Sequence, residues 1–269
     1  RSIMKDSSGN IWSGGYYNLK EIDYSRKNIR HFPGLNGITA IIEKDSTHMW
    51  IGTSTGLYLL EKATGKYTYI QMPVESYYIY SLCQASDGML YIGTNNAGLL
   101  VYDTTKNTFR HYHRDNCALI SNNIYTLLSD GKGNIFLSTE HGLSTFYPVE
   151  ETFHNWTKEQ GLKSDHFNAA SGTLRKNGNF IFGSTDGAIE FNKDMILPRD
   201  YKFKMVFSDL RVFYQTVYPK DEGSPLILDI DETKTLRLKY NQNIFSLQVS
   251  DINYDYPSLI LYSWKLEGF

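Results

Sequence analysis

One short pattern recurs five times along this 269-residue sequence, always before residue 198. Each copy has a short apolar run, a Gly or Ser, usually a Thr, a polar turn and a second apolar run that Gly usually precedes, as in "MWIGTSTGLYLL" and "LYIGTNNAGLLVY". A period of about 40 to 45 residues is typical of four-stranded propeller blades, which stack around an axis because one sheet cannot bury both of its faces alone. Aligned at their bulky residue, the copies fall on Trp12, Trp50, Tyr91, Phe136 and Ile181.

Within each copy, apolar and polar residues alternate as they do along strands. Residues 124–156 read as four short strands joined by three tight turns that contain Gly, Asn, Asp and Pro. We expect the Gly before the second apolar run to take a positive φ, which Gly adopts at no steric cost. It is present as Gly56, Gly98, Gly142 and Gly187, and Asn18 takes its place in the first copy.

The repeat stops at about Pro198, and the sequence that follows alternates strongly without the propeller turns. This pattern predicts the first strands of an Ig-like β-sandwich. We therefore expect an all-β chain in which residues 1–197 form about five propeller blades and residues 198–269 form the N-terminal part of a sandwich. Because the sequence stops at Phe269 within a strand pattern, we expect it to be part of a longer chain.

The charge and the cysteine count exclude several classes of function. With 27 Lys plus Arg against 29 Asp plus Glu, the net charge of -2 creates no field that attracts nucleic acid. No apolar run approaches the length of about 20 residues that spans a bilayer. Cys83 and Cys117 lie too far apart for a metal knuckle or a redox pair, so we expect no metal. We also expect no cofactor and no catalytic residue in this chain.

Three stretches resemble a known family of sensor proteins. The units "MWIGTSTGLYLLEKATGKYTYI" and "LYIGTNNAGLLVYDTTKNTFRHY" resemble the two-component-regulator propeller repeat. The segment "GLKSDHFNAASGTLRKNGNFIFGSTDGAIEF" resembles the closing unit of such propellers. The last part of the chain, up to "LEGF", resembles the three-tyrosine β-sandwich that follows them, so the resemblance covers nearly the whole chain.

The resemblance implies a function that composition and spacing do not. In the family, propellers and sandwich form the periplasmic sensor of a hybrid two-component histidine kinase in the inner membrane. It implies recognition of an oligosaccharide, homodimerisation, and a signal relayed through a membrane helix outside this chain to control carbohydrate-utilisation genes. The family carries many more units than five, so the ring of blades in this chain is expected to be incomplete.

The candidate ligand-binding residues lie in loops of one face. In a four-stranded antiparallel blade, the loop that leads into the first strand and the loop between the second and third strands share a face. Tyr, Asn and His there supply rings for stacking and groups that donate and accept hydrogen bonds, although turns also favour Asn for structural reasons. The predicted ligand-binding residues are Tyr16, Tyr17, Tyr77, Tyr78, Asn95, Asn96, His141, His166 and Asn168.

Two other classes of function fit the same fold. A carbohydrate-active lyase or glycosidase would draw its acid and base from His141, His166, Tyr78, Asp165 and Asp186, but no spacing in the sequence pairs them. A protein-protein scaffold would use the propeller alone. The sandwich pattern after residue 197 favours a sensor over a scaffold.

Overall fold

The computed structural model describes residues 2–23, 25, 28–74, 78–192, 204–251 and 264–265. The chain divides into two compact units, residues 1–197 and residues 198–269.

The first unit begins with three four-stranded sheets, each antiparallel and each ordered as its strands occur along the chain. Turn residues such as Gly, Asn and Asp separate short alternating runs, which is why each sheet is a simple meander. The strands are β1 (Ser2–Lys5), β2 (Ile11–Gly14), β3 (Tyr17–Asp23) and β4 (Asn28–Asn36) in blade 1; β5 (Ile38–Glu43), β6 (His48–Thr53), β7 (Gly56–Glu61) and β8 (Tyr67–Ile70) in blade 2; and β9 (Ile79–Gln84), β10 (Leu90–Thr94), β11 (Leu99–Asp103) and β12 (Thr108–Tyr112) in blade 3.

Two further sheets complete the first unit. The four strands predicted over residues 124–156 are present, and the prediction of propeller blades is confirmed. Blade 5 has three strands among the described residues. The strands are β13 (Ile124–Ser129), β14 (Ile135–Thr139), β15 (Gly142–Tyr147) and β16 (Thr152–Trp156) in blade 4, and β17 (Phe167–Leu174), β18 (Asn179–Ser184) and β19 (Gly187–Asn192) in blade 5; a short 3-10 helix, Lys158–Gln160, lies between the two blades.

The hydrophobic core lies between successive blades. Each strand places alternate side chains on its two faces, so one face of a sheet packs on the preceding blade and the other on the next. The bulky residue of the repeat is buried on the side of the next blade: Trp12, Trp50, Tyr91 and Phe136 are each at most 2% exposed. In blade 5 Ile181 is only half-buried, whereas Phe180 and Phe182 beside it are fully buried against blade 4.

The repeated Thr and Gly close the turn between the second and third strands of a blade. As predicted, Gly56, Gly98, Gly142 and Gly187 have positive φ angles, and so does Asn18 in blade 1. In each of blades 2 to 5 a buried hydroxyl donates to the carbonyl oxygen of this Gly. The bonds are Thr53 to Gly56, Thr94 to Gly98, Thr139 to Gly142 and Ser184 to Gly187.

The second unit contains one antiparallel sheet among its described residues, with the strand order β21-β20-β22. The strands are β20 (Met205–Val212), β21 (Gln215–Thr216) and β22 (Phe245–Asp251). A single sheet agrees with the predicted β class, and the Ig-like sandwich stays a prediction. The "LEGF" motif at residues 266–269 lies outside the described residues.

Candidate functional site

The loops that lead into first strands bond to the loops between second and third strands. Within a blade, Ser54 N–H donates to Gly37 O, Asn95 N–H to Tyr78 O and Thr185 N–H to His166 O. Between blades, Gly98 N–H donates to Asn122 O, and the Asn96 N–H donates to Asn123 Oδ1 at 2.8 Å. The expectation that these loops share a face is confirmed, and we call it the loop face.

A β-bulge recurs where the first strands leave the loop face. In blade 2 the register passes from Ile38 to Ala40, so Thr39 has no cross-strand partner. Blades 3 and 4 repeat this irregularity, which leaves Tyr80 and Tyr125 without partners. A bulge adds one residue to its strand and turns that side chain out of the regular alternation.

The bulged residues reach toward the first strand of the next blade. The Thr39 hydroxyl bonds to Ile79 O at 2.5 Å. The Tyr80 ring meets the Tyr125 ring edge to face at a centroid distance of 5.1 Å, and Tyr78 lies against Tyr80 at 5.0 Å. These half-buried rings form what we call the tyrosine cluster: Tyr78, Tyr80 and Tyr125.

Polar groups of blades 4 and 5 lie beside the tyrosine cluster. Glu140, in the β14–β15 turn, accepts a hydrogen bond from Ser121 Oγ at 3.1 Å through Oε1. His141 Nε2 lies 3.6 Å from the same oxygen, and its ring is 6.3 Å from that of His166. His166 Nδ1 bonds to Glu140 O at 2.8 Å, which ties the loop into blade 5 to the turn of blade 4.

The Glu140 carboxylate affects the pKa values of two phenols in the tyrosine cluster. Burial raises the pKa of Tyr80, and the neighbouring Tyr125, Tyr78 and Glu140 raise it further. Burial and the Glu140 carboxylate likewise raise the pKa of Tyr125. Both phenols therefore stay neutral hydrogen-bonding groups at physiological pH.

The predicted ligand-binding residues do not form one group. Tyr78, His141 and His166 belong to the arrangement around the tyrosine cluster, and the Asn96 N–H donates to Asn123 Oδ1 in the loop that leads into the strand of Tyr125. Asn95 lies in the same turn as Asn96. Tyr77 lies outside the described residues.

Three further predicted residues lie apart from this arrangement in their contacts. Tyr16, in the β2–β3 turn, and Tyr17, the first residue of β3, are exposed in blade 1, with their ring centroids 5.2 Å apart. Gly37 N–H donates to Tyr16 O, so this turn is tied to blade 2. Asn168 is exposed, and its Nδ2 donates to Ser184 O at 3.0 Å. A ligand role for these residues stays a prediction.

Sequence reasoning missed Tyr125 and Glu140. A signal for Tyr125 was present, because "IYSL" at Ile79 and "IYTL" at Ile124 place a Tyr at the same point of two repeat units. Glu140 replaces a small or amide residue of the equivalent turns and carries no pattern of its own. Its importance follows from contacts between blades, which no single repeat unit contains.

The residues considered for catalysis are used in other ways. Asp165 Oδ1 accepts a hydrogen bond from Lys158 N–H at 2.6 Å, and the Asp186 carboxylate lies 3.9 Å from Lys158 Nζ. Both carboxylates therefore contact Lys158 at the start of the short helix between blades 4 and 5. Within the described part of the chain, no three His, Cys, Asp or Glu side chains come together as a metal site. The same residues include no helix long and apolar enough to cross a membrane.

The blades are similar to those of two-component regulator proteins. The model of the two component regulator propeller family matches residues 73–96. Histidine kinase P4 of Formosa agariphila is 23% identical over 243 residues, an alignment that covers 87% of this chain and 17% of that protein. The predicted resemblance to two-component-regulator propellers is thus confirmed, and this chain spans only a small part of that relative.

Solved structures share the fold. The extracellular domain ascribed to a hybrid two component system of B. thetaiotaomicron aligns with a TM-score of 0.51 and 19% identity, over 92% of this chain and 40% of that chain. Virginiamycin B lyase from Staphylococcus aureus aligns with a TM-score of 0.54 and 10% identity, over 74% of this chain and 70% of that chain. At these identities the likeness establishes the β-propeller fold alone.

Proposed function

We propose that this chain is the ligand-sensing region of a two-component signalling protein and that the loop face around the tyrosine cluster binds an oligosaccharide. The observation that carries the proposal is the edge-to-face contact of the Tyr80 and Tyr125 rings from neighbouring blades, with the Glu140 carboxylate close enough to raise the pKa of both phenols. The three residues come from two blades and two kinds of loop-face element.

The chemistry of this arrangement suits a sugar. The C–H face of a pyranose ring packs on aromatic rings, while its hydroxyls need partners that accept and donate hydrogen bonds. The tyrosine cluster offers the rings. Glu140 is an acceptor, and His141, His166 and the amides of Asn95 and Asn96 on the same face both accept and donate.

The likeness to two-component proteins supports a signalling role. The matching repeat is that of two-component-regulator propellers, and a relative over most of this chain is a histidine kinase. A related fold is described as extracellular, which is consistent with the periplasm as the location of this region. In this proposal the region itself performs no chemistry.

The proposed relay needs two arrangements of a homodimer. A ligand shifts an equilibrium only if it binds one arrangement more tightly than the other. We propose that sugar binding changes how two chains lie against each other and that a helix beyond this chain carries the change across the inner membrane. The output is control of carbohydrate-utilisation genes.

Calorimetric titration against a panel of defined plant, algal and host oligosaccharides tests the proposal. We expect saturable binding of at least one member. Tyr80→Leu is expected to weaken that binding about tenfold, which lies at the low end of the roughly 1–3 kcal/mol that a nucleic-acid base gains by stacking on an aromatic side chain. The matched control is Tyr67→Leu, because Tyr67 is 41% exposed on β8 at the outer edge of blade 2.

The outcomes separate the candidate functions. Equal loss of affinity in the two variants would mean that the tyrosine cluster is not the site. Release of new reducing ends or unsaturated sugars from any panel member would show an enzyme instead of a sensor. An absence of binding across the whole panel would contradict an oligosaccharide ligand.

A further inference from the structure

Resting on this proposed function, we infer that the sugar ring bound at the tyrosine cluster carries hydroxyl groups but no carboxylate or sulfate, and that Glu140 imposes this selectivity. This selectivity for a class of glycan follows from the charge of the Glu140 carboxylate and from one of its oxygens, which has no hydrogen-bond partner among the described residues.

The Glu140 carboxylate has an oxygen available to a ligand. Its hydrogen bond from Ser121 and its contact with His141 both involve Oε1. Oε2 has no hydrogen-bond partner among the residues that the structure describes. An ionised carboxylate only accepts hydrogen bonds, so it pairs with a sugar hydroxyl and repels an anionic substituent.

In the part of the chain that the structure describes, no Lys or Arg side chain forms an ion pair with the Glu140 carboxylate. Among the described residues, His141 is the one basic side chain within 4.0 Å of the Glu140 carboxylate, and it is 55% exposed. Lys158, the first residue of the short helix between blades 4 and 5, has its Nζ 3.9 Å from the Asp186 carboxylate and donates its backbone N–H to Asp165 Oδ1. The two negative charges of Asp165 and Asp186 thus exceed the one positive charge of Lys158.

The charge of Glu140 reaches the place where the ring would stack. Glu140 directly follows Thr139, the cross-strand partner of Ile124, so its turn adjoins Tyr125. Its charge also acts on the phenol of Tyr80 in blade 3. A carboxylate or sulfate on a ring packed against these tyrosines would therefore lie near a like charge in a partly desolvated site. That arrangement costs affinity.

The test compares pairs of ligands that differ only in charge. Oligogalacturonates, oligomannuronates and oligoguluronates are titrated as acids and after reduction of each carboxylate to a primary alcohol, together with the neutral panel. We expect reduced forms to bind about tenfold more tightly than the acids at low salt. Glu140→Gln keeps an acceptor and removes the charge, and should narrow the preference to about twofold.

The control variant is Glu150→Gln. Glu150 is exposed in the turn after β15, on the face opposite the loop face of the same blade, and its replacement makes the same change in net charge. We expect it to leave the preference unchanged. The wild-type preference should also shrink as the salt concentration rises from about 0.01 M to 0.15 M, because the screening length between exposed charges then falls from about 30 Å to about 8 Å.

Different results would overturn the charge selectivity and the oligosaccharide-sensing function. Acids that bind as tightly as their reduced forms would overturn the charge selectivity and leave a sugar sensor intact. A preference that Glu140→Gln does not narrow, in a variant with the wild-type melting temperature, would remove Glu140 from the explanation. If Glu140→Gln does not fold, a wild-type preference that is independent of salt overturns the inference. No binding by any acid, reduced or neutral sugar would overturn both proposals.

Discussion

The hydroxyl of Thr139 donates a hydrogen bond of 2.9 Å to the carbonyl oxygen of Gly142 across the β14–β15 turn, and it also accepts one of 3.1 Å from the His141 N–H. One buried hydroxyl thereby holds the turn that carries Glu140 and His141. The repeated Thr of the sequence pattern therefore contributes to the architecture of the blade and to the placement of the candidate site.

Replacing Thr139 tests this relationship. Thr139→Val has nearly the same shape but leaves the Gly142 carbonyl and the His141 N–H without their hydroxyl partner. We expect the free energy of unfolding to fall by about 1–2 kcal/mol, measured by urea denaturation. Thr139→Ser keeps both bonds and should recover most of the loss. Thr152→Val at the exposed start of β16 should change stability by less than about 0.5 kcal/mol.

Gly142 is constrained by its backbone and by its surroundings. Its φ is +126°, and an added Cβ would lie 2.4 Å from Trp156 O. Gly133 has a φ of +114° in the same blade, with nothing within 4 Å of an added Cβ. We expect Gly133→Ala to cost about 1 kcal/mol and Gly142→Ala at least about 3 kcal/mol in denaturant titrations. Equal costs would mean that conformation alone, and not the contact with Trp156, requires Gly.

Lys62 joins two carboxylates at the junction of blades 1 and 2. Its Nζ lies 3.5 Å from Asp6 Oδ2 and pairs with Glu43, and the Asp6 side chain is 1% exposed. Lys62→Met should lower the free energy of unfolding by about 3 kcal/mol, because it leaves a buried carboxylate without its counter-charge. Lys106→Met removes a Lys that is 77% exposed and should have almost no effect. Adding Asp6→Asn to Lys62→Met should restore part of the loss.

The pH dependence of the Lys62 effect follows from the same contacts. Burial opposes ionisation of Asp6, but hydrogen bonds from Trp12 and Asn10 and the nearby Lys62 hold its pKa below the ordinary value. Burial is likewise outweighed at Glu43, whose pKa is lowered by Lys62 and Ser7. The stabilisation is therefore present above about pH 4.5 and is lost as pH falls through the folded pKa values. The difference between wild type and Lys62→Met should be largest near pH 7 and shrink below about pH 4.

The two free cysteines should react slowly in the native protein. Burial raises the pKa of Cys83 to about 11, and burial also raises that of Cys117, whose Sγ contacts His113 O at 3.2 Å. At pH 8 only about a thousandth of Cys83 is then thiolate, the reactive form. Mass spectrometry after iodoacetamide treatment should find Cys83 unmodified until urea unfolds the chain. Rapid native alkylation of Cys83 would contradict its described environment.

The blades were predictable from sequence because their signals are local. Alternation over five residues and a turn containing Gly or Asn define each strand, and the positive φ of Gly142 follows from the absence of a side chain. The sharing of a face by two kinds of loop followed from the topology of a meander. Each of these inferences needs only one repeat unit.

The candidate site was only partly predictable because it is assembled from three units. Tyr78, His141 and His166 were found as polar or aromatic loop residues, but the same criterion also selected Tyr16 and Asn168, whose contacts lie elsewhere. The bulges at Tyr80 and Tyr125 depend on how a whole strand pairs with its neighbour. A single strand's sequence does not contain that register.

The recurrent bulge gives this propeller a position that can diversify independently of the blade. Thr39, Tyr80 and Tyr125 occupy equivalent positions, a Thr in one blade and a Tyr in two, and each is the residue at which the pairing with the second strand shifts by one. A mutation there changes a side chain beside the loop face and disturbs no cross-strand pair. The side chain at the bulge is therefore set by one residue per blade, separately from the strand pairing that holds the blade together.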